Sequence, residues 1–449
     1  MLTFLKALRP EFRPTIRLAL PLVIAELGWM TMGIVDTIMV GRLPNSAVAI
    51  GATGLGQSLY HSVVIFGGGL LLGMDTLVSH AYGREDHRDA RQWLVNGLFI
   101  AFLLTPMLML GVSLWPTLMQ LFGISLELVE PMRPFLRALN WGTLPLLTYF
   151  ALRRYLQAIN VVYPIMFALI SANVANAFGD WVLIYGHLGF RAMGITGSGW
   201  STCLSRIYMA LVLLITLVYV ESKRTMPTWA GAMRIELQRV IALLRLGTPA
   251  ATQILFEIGA FSAATALCAK LGPVPLSGHE IALNCAAFTF MVPLGISSAA
   301  AVRVGQQLGR GDRAGAMRAG WSAIALGVAF MASSGLVFIS IPRVIARLFS
   351  PDPNVIRGGA SLLLVAAAFQ LFDGVQTVAT GALRGTGDTQ TPMLANLVAY
   401  WFIGLPLGCV LCFSLGWGAL GIWIGLCTGL MIIGTALLIA WHKRLLGEG

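Results

Sequence analysis

The stretch ATQILFEIGAFSA, residues 251–263, holds one carboxylate, Glu257, in a run that otherwise reads as apolar helix. Gln253 stands one helical turn before it. A second apolar run carries Asp373, Gln376, Thr377 and Thr380 along a single stripe, with Phe369 one turn ahead of Asp373. A third carries Asn173, Asn176 and Asp180 at i, i+3 and i+7, which puts all three on one helix face. The first run, LPLVIAELGWMTMGIVDTIMVGR, holds Glu26 and Asp36. Ten residues turn a helix by about 1,000 degrees, so these two acids point in different directions and belong to different environments.

Carboxylate, amide and hydroxyl oxygens gathered this way suit a hard cation. They equally suit a proton, which a carboxyl removed from water tends to hold. Hydrolytic chemistry would need a Ser, Cys or His activated beside an orienting acid, and no such constellation can be assembled, so the chain is not expected to be an enzyme. His61 in SLYHSVVIF and Arg206 in STCLSRIYMAL are also set in apolar runs, where each could pair with an acid or touch a substrate. The plainer alternative for all these groups is pairing with a buried donor or reaching out to an interface. That alternative weighs most for Glu26 and for Asp75, which falls near the end of its run. GGGLLLG at 67–73 lacks the lysine and Ser/Thr of a phosphate loop and reads as close helix packing. With no nucleotide site visible, energy must come from an ion gradient or from a separate ATPase.

These side chains matter because of what surrounds them. Hydrophobic residues make up 57% of the 449 and charged residues 11%, where a soluble domain carries roughly a quarter charged. Mean hydropathy is +0.80. Runs of the roughly 20 apolar residues that cross a bilayer recur along the whole length, about twelve in all. They fall at 15–40, 46–76, 91–114, 128–157, 162–186, 193–220, 240–270, 278–306, 315–340, 355–383, 390–414 and 418–441. The runs are too long and too uniformly apolar for barrel strands, so the fold class is an all-α integral membrane protein. A charge near the centre of such a helix costs at least about 2.5–3.5 kcal/mol, so it faces the bundle interior and marks a pathway.

Basic residues cluster in every second connection: Lys6, Arg9, Arg13 and Arg17; Arg84, Arg88 and Arg91; Arg153 and Arg154; Lys223, Arg224, Arg234 and Arg239; Arg303, Arg310, Arg313 and Arg318; Lys443 and Arg444. The opposite connections are poorer, apart from Arg343, Arg347 and Arg357. By the positive-inside rule both termini face the cytoplasm of a multi-pass protein. The net charge of +11 is spread over short loops without aromatic interleaving, which excludes nucleic acid as the partner. The six cysteines sit in apolar runs and read as packing residues. The N-terminus has no apolar core followed by a small-residue cleavage site, so helix 1 is expected to be retained.

The chain repeats. VSHAYGREDHRDAR at 78–91 and VRVGQQLGRGDRAGAM at 302–317 share the frame G-R-x-D-x-x-x-A. RLALP at 17–21 faces RLGTP at 245–249, and ALRRYLQAINVVYP at 151–164 faces TGALRGTGDTQTP at 380–392. Three landmarks in the same order predict a duplication: an N-terminal six-helix lobe over 1–220, a cytoplasmic linker over 221–239 and a C-terminal six-helix lobe over 240–449. An even number of helices per half makes the repeats parallel, related by an axis along the membrane normal. Two pseudo-symmetric bundles in a V around a central cavity are the expected result, an architecture that points to transport.

Together GIVDTIMVGR, AYGRED, LGRGDRAGAM, the helix-7 Glu257 and DGVQTVATGALRGTGDTQTP resemble the multidrug and toxic compound extrusion family, in its NorM-type branch, over nearly the whole chain. The resemblance implies antiport in a bacterial inner membrane, with sodium or protons entering while small amphipathic, often cationic compounds leave. It implies no cofactor, no ATPase partner and a monomer in the lipid bilayer. It assigns cation coupling to Glu257 and Asp373 in the C-terminal lobe and to Asp36, Asn176, Asp180 and Thr202 in the N-terminal lobe. Sodium would sit at Glu257 and Asp373 or at Asp36 and Asp180. Phe369 stands where the branch often has tyrosine, and Gln253, Gln376, Thr377, Asn173, Glu26, His61 and Arg206 remain for substrate or cavity roles. A flippase for lipid-linked sugars is the alternative within the superfamily, although acidic mid-helix groups suit cationic cargo better. An intramembrane enzyme is the remote one.

Overall fold

A computed structural model describes residues 2–223 and 234–446. Most of the expected linker, 224–233 with Arg224, lies outside the described residues, as does the side chain of Lys6. Among the described residues there is helix and no strand. In order these are α1 (Leu2–Val40), α2 (Ser46–Leu70), α3 (Gly73–Gly83), α4 (His87–Leu121), α5 (Leu126–Trp141), α6 (Thr143–Ala158), α7 (Tyr163–Tyr185) and α8 (Ile195–Ser222). Then follow α9 (Leu237–Ala269), α10 (Pro273–Gly309), α11 (Arg313–Ser340), α12 (Pro342–Phe349), α13 (Pro353–Thr386), α14 (Gln390–Asn396), α15 (Leu405–Cys409) and α16 (Ala419–Leu446). Two π-helical stretches, Leu397–Gly404 and Val410–Ser414, join α14 and α15 into one apolar segment.

Among the described residues, eleven segments are long and apolar enough to cross a membrane. The twelfth expected span, 128–157, is divided at Gly142 into α5 and α6, each only 16 residues. A Cβ on Gly142 would lie 3.0 Å from Arg206 Cδ and 3.1 Å from the Leu139 carbonyl, so the break houses the stem of Arg206. Its guanidinium then donates to the Leu139 carbonyl at 3.3 Å. The connection holding Arg343 and Arg347, which departs from the alternation of basic loops, folds as the short helix α12. Val344 and Leu348 on it are exposed, the mark of an amphipathic turn that lies along an interface.

The chain forms two compact units, Ile24–Gly247 and Met1–Val23 with Thr248–Gly449. In the first, three successive α6 residues fan out to three acids, of which Asp75 and Glu221 are buried. Arg153 pairs with Glu26, Arg154 with Asp75 at 3.3 Å, and the Tyr155 hydroxyl donates to Glu221 at 2.9 Å. Arg91 meets the other Glu221 oxygen at 3.1 Å. Each step along a helix turns 100 degrees, so one helix ties down α1, α3 and α8. In the second unit, small residues let backbones touch. A Cβ on Gly381 would be 2.2 Å from the Ser297 carbonyl, and one on Gly425 would be 2.4 Å from that of Gly404. Arg303 pairs with Glu11 at 2.5 Å.

The repeated G-R-x-D frame is a helix-joining device. Gly83 and Gly309 end α3 and α10. Glu85 and Gly311 follow in the left-handed region, at φ 63° and 79°. Asp86 and Asp312 then cap α4 and α11, accepting from the amides of Asp89 at 2.9 Å and Gly315 at 2.7 Å. Ala90 and Ala316 are fully buried in the first turns that follow.

Candidate functional site

Two separate acidic clusters form, one in each unit. The first is built by α1, α7 and α8. Asn173 donates to the Gly28 carbonyl of α1 at 3.0 Å, and further along the Tyr185 hydroxyl donates to the Met39 carbonyl at 2.7 Å. These contacts hold α1 and α7 parallel with residue 28 beside 173 and 39 beside 185. That register brings Asp36 against Asp180 and Asn176. From α8, Thr202 donates to Asp36 at 3.3 Å and to the Ser198 carbonyl at 3.0 Å. All four residues assigned to N-lobe coupling therefore meet.

The hydrogen bonds leave a surplus of one kind of atom. The Asn176 amide donates to Ser201 at 3.1 Å, and Ser201 donates to the Asn176 backbone carbonyl at 2.8 Å. Asp36 Oδ1, Asn176 Oδ1 and both Asp180 carboxyl oxygens are buried without a hydrogen-bond partner. Asp180 and Asn176 are fully buried. Four buried acceptors with no donor would be costly unless something positive joins them. Oxygens of this kind fit a hard monovalent cation or a proton. Among the described residues no three His, Cys, Asp or Glu side chains come together as a metal ligand set.

The second cluster is built by α9, α13 and the α14–α15 segment. Gln376 donates to Glu257 Oε2 at 3.3 Å and to Asn396 Oδ1 at 3.4 Å, while the Tyr400 hydroxyl donates to Gln376 Oε1 at 3.4 Å. Asn396 is itself held by the Pro392 carbonyl at 2.8 Å. Asp373, one turn before Gln376 and Thr377, is buried with Glu257 as its charged neighbour. Thr377 and Thr380 keep buried hydroxyl oxygens without partners. Phe369 packs edge-on against Phe261 and tilted against Trp423 at centroid distances of 5.9 and 5.6 Å, and Phe261 in turn meets Tyr400 at 5.9 Å. Gln253 is buried in α9.

The remaining singled-out residues make no hydrogen bond to either cluster, although the Arg206 charge acts on Asp36. Glu26 is held by Arg153. Arg206 lies 4.6 Å over the Tyr60 ring, and His61 is bonded to the Gln57 carbonyl at 3.0 Å. Both clusters contain residues that spacing alone did not select: Ser198 and Ser201 in the first, Asn396 and Tyr400 in the second. The signal for the latter pair is an amide and a phenol one turn apart in an otherwise apolar run.

The MatE family model matches residues 21–182 and again 249–410, two copies offset by 228 residues. The chain belongs to the MATE family of membrane transporters. It is 38% identical to the probable multidrug resistance protein NorM of Mesorhizobium japonicum, over 97% of this chain and 94% of that one. The NorM of Brucella suis is 36% identical over 97% and 93%. The crystal structure of a eukaryotic MATE transporter superposes with a TM-score of 0.86 at 21% identity, covering 98% of this chain and 99% of that one. As a MATE protein the chain is a transporter rather than an enzyme, and the doubled match accounts for its repeated landmarks.

Proposed function

We propose that this MATE protein is a cation-coupled multidrug antiporter that exports amphipathic, often cationic compounds in exchange for sodium ions or protons. The relatives carry the name multidrug resistance protein, which supports the cargo class. The observation that carries the coupling is the set of unpartnered buried oxygens on Asp36, Asn176 and Asp180. A cation bound there neutralises the two acids in one state of the cycle. Glu257 and Asp373 form the second coupling group, where cargo and ion compete for the same negative charge. Binding drives the cycle only if affinity differs between the inward- and outward-open forms. A membrane potential adds about 2.3 kcal/mol per charge per 100 mV, enough to concentrate cargo without ATP.

The same reading has lobes over 1–220 and 240–449 joined by a cytoplasmic linker, acting as a monomer with both termini inside a bacterial inner membrane. The alternation of basic loops and the bacterial relatives support it. Dye export from cells under an imposed ion gradient tests it. Asp36→Asn and Glu257→Gln are each expected to abolish most gradient-driven export, and export unchanged in both would contradict the assignment.

A further inference from the structure

Beyond the four residues of the first cluster, α7 carries one more side chain with the same imbalance. Asn173 commits both hydrogens of its amide, one to the Gly28 carbonyl at 3.0 Å and one to the Leu169 carbonyl at 2.9 Å. Both partners are acceptors, so the nitrogen must face them and the orientation of the amide is fixed. Its Oδ1 is buried and has no partner. Asn176 repeats part of the pattern one turn on, one amide hydrogen given to Ser201 and its Oδ1 unpartnered although the residue is fully buried. Asp180 follows with two unpartnered oxygens, and Asp36 with one.

Spacing of three and four residues stacks side chains on one helix face. Residues 173, 176 and 180 therefore form a rising series of acceptors along α7, about 10 Å from end to end at 1.5 Å per residue. Asn173 has no donor left and Asn176 gives one of its two amide hydrogens to Ser201, so the series presents mainly acceptor oxygens, which draw cations rather than anions. A chain of weak, closely spaced oxygen sites is what lets a cation enter and leave a binding site instead of being trapped there. On α1 the series ends beside Gly28, two residues from Glu26, which Arg153 neutralises.

We propose that Asn173 is a transfer residue for the coupling cation, a low-affinity oxygen site one turn from the Asp36–Asp180 cluster through which the ion reaches and leaves it. The inference rests on the N-lobe coupling site proposed above. Asn173 touches the ion in transit and contributes little to its affinity at rest.

The test uses full-length protein in liposomes, with exchange of radioactive sodium in one arm and a pH-gradient dye readout in the other, so that sodium and a hydrated proton are told apart. Asn173→Leu removes the oxygen and the donors; Asn173→Asp keeps oxygen and removes the donors. Expected is a slowing of ion exchange by about tenfold in Asn173→Leu, the scale of one lost contact to a charged group. Equilibrium sodium binding, or proton release on cargo binding in the other arm, should stay within about twofold of wild type. Asn173→Asp should keep most of the rate. Equal slowing in both variants would make Asn173 a structural tie to Gly28 and overturn the proposal, as would no slowing in either. Asp36→Asn serves as the separate control. If it leaves exchange intact, the coupling site itself is wrong; if it stops exchange while Asn173→Leu does not slow it, only the transfer role falls.

Discussion

The two acidic clusters are built from similar residue types and differ in how far their acids are hydrogen-bonded. Around Asp36 and Asp180 the Thr202 hydroxyl reaches one Asp36 oxygen, Ser201 is spent on backbone, and four buried acceptor oxygens are left over. Around Glu257 a donor has been turned onto the acid, because Tyr400 and Asn396 hold the Gln376 amide from its two ends. A carboxylate with a fixed amide partner already has part of its charge balanced; Asp180, whose two buried oxygens have no partner, does not. Duplication thus supplied the same scaffold twice, and side-chain hydrogen bonding separated the two sites. On the proposed reading, the first cluster is the stronger cation trap and the second is the one cargo can most readily contest.

Substitutions sharpen that contrast. The largest effect is expected at Asp36→Asn, where losing the charge should reduce ion-driven export by about a hundredfold, the upper range for a contact to a charged group. Glu257→Gln keeps an oxygen for Gln376 and should cost about tenfold in the same assay. Tyr400→Phe removes only the 3.4 Å bond to Gln376, and export should fall about twofold with cargo affinity changed and ion affinity not. If Asp36→Asn proves milder than Glu257→Gln, the ranking of the clusters is reversed.

The repeat itself can be probed by stability. Asp86→Ala and Asp312→Ala each remove a helix cap, and thermal unfolding in detergent should report a loss of about 1 kcal/mol from each. The smallest effect is expected at Glu85, whose left-handed backbone its counterpart Gly311 adopts without strain. Glu85→Gly should therefore be neutral to slightly stabilising, by a few tenths of a kcal/mol, and clear destabilisation would show that the two junctions are not equivalent.

The membrane class, the duplication and the individual acids were legible because each leaves a one-dimensional trace: long apolar runs, a repeated frame and charges interrupting helices; the grouping of Asp36 with Asn176, Asp180 and Thr202 came from the family resemblance. Asn173, Asn176 and Asp180 share a face simply because α7 is regular. The break at Gly142 left only a local trace, Gly142 and Pro145 in GTLPLL, which the uniform apolarity of the run outweighs until Arg206 from a distant segment needs room. Tyr400 and Asn396 were missed for a related reason. Asn396 adjoins and Tyr400 lies within a π-helical stretch, where the usual 3.6-residue spacing no longer tells which side chains share a face. The Arg153–Glu26 pair shows the opposite limit, a charge visible in sequence whose partner 127 residues away was not.

The most direct measurement of the central claim uses purified protein in liposomes loaded with a fluorescent cationic dye, with a sodium gradient or a proton gradient imposed in turn. Coupled antiport predicts dye movement against its own gradient under at least one of the two, and loss of that movement in Asp36→Asn. Dye that stays put under both gradients, in protein shown to be folded, would contradict cation-coupled export and favour a carrier of another kind.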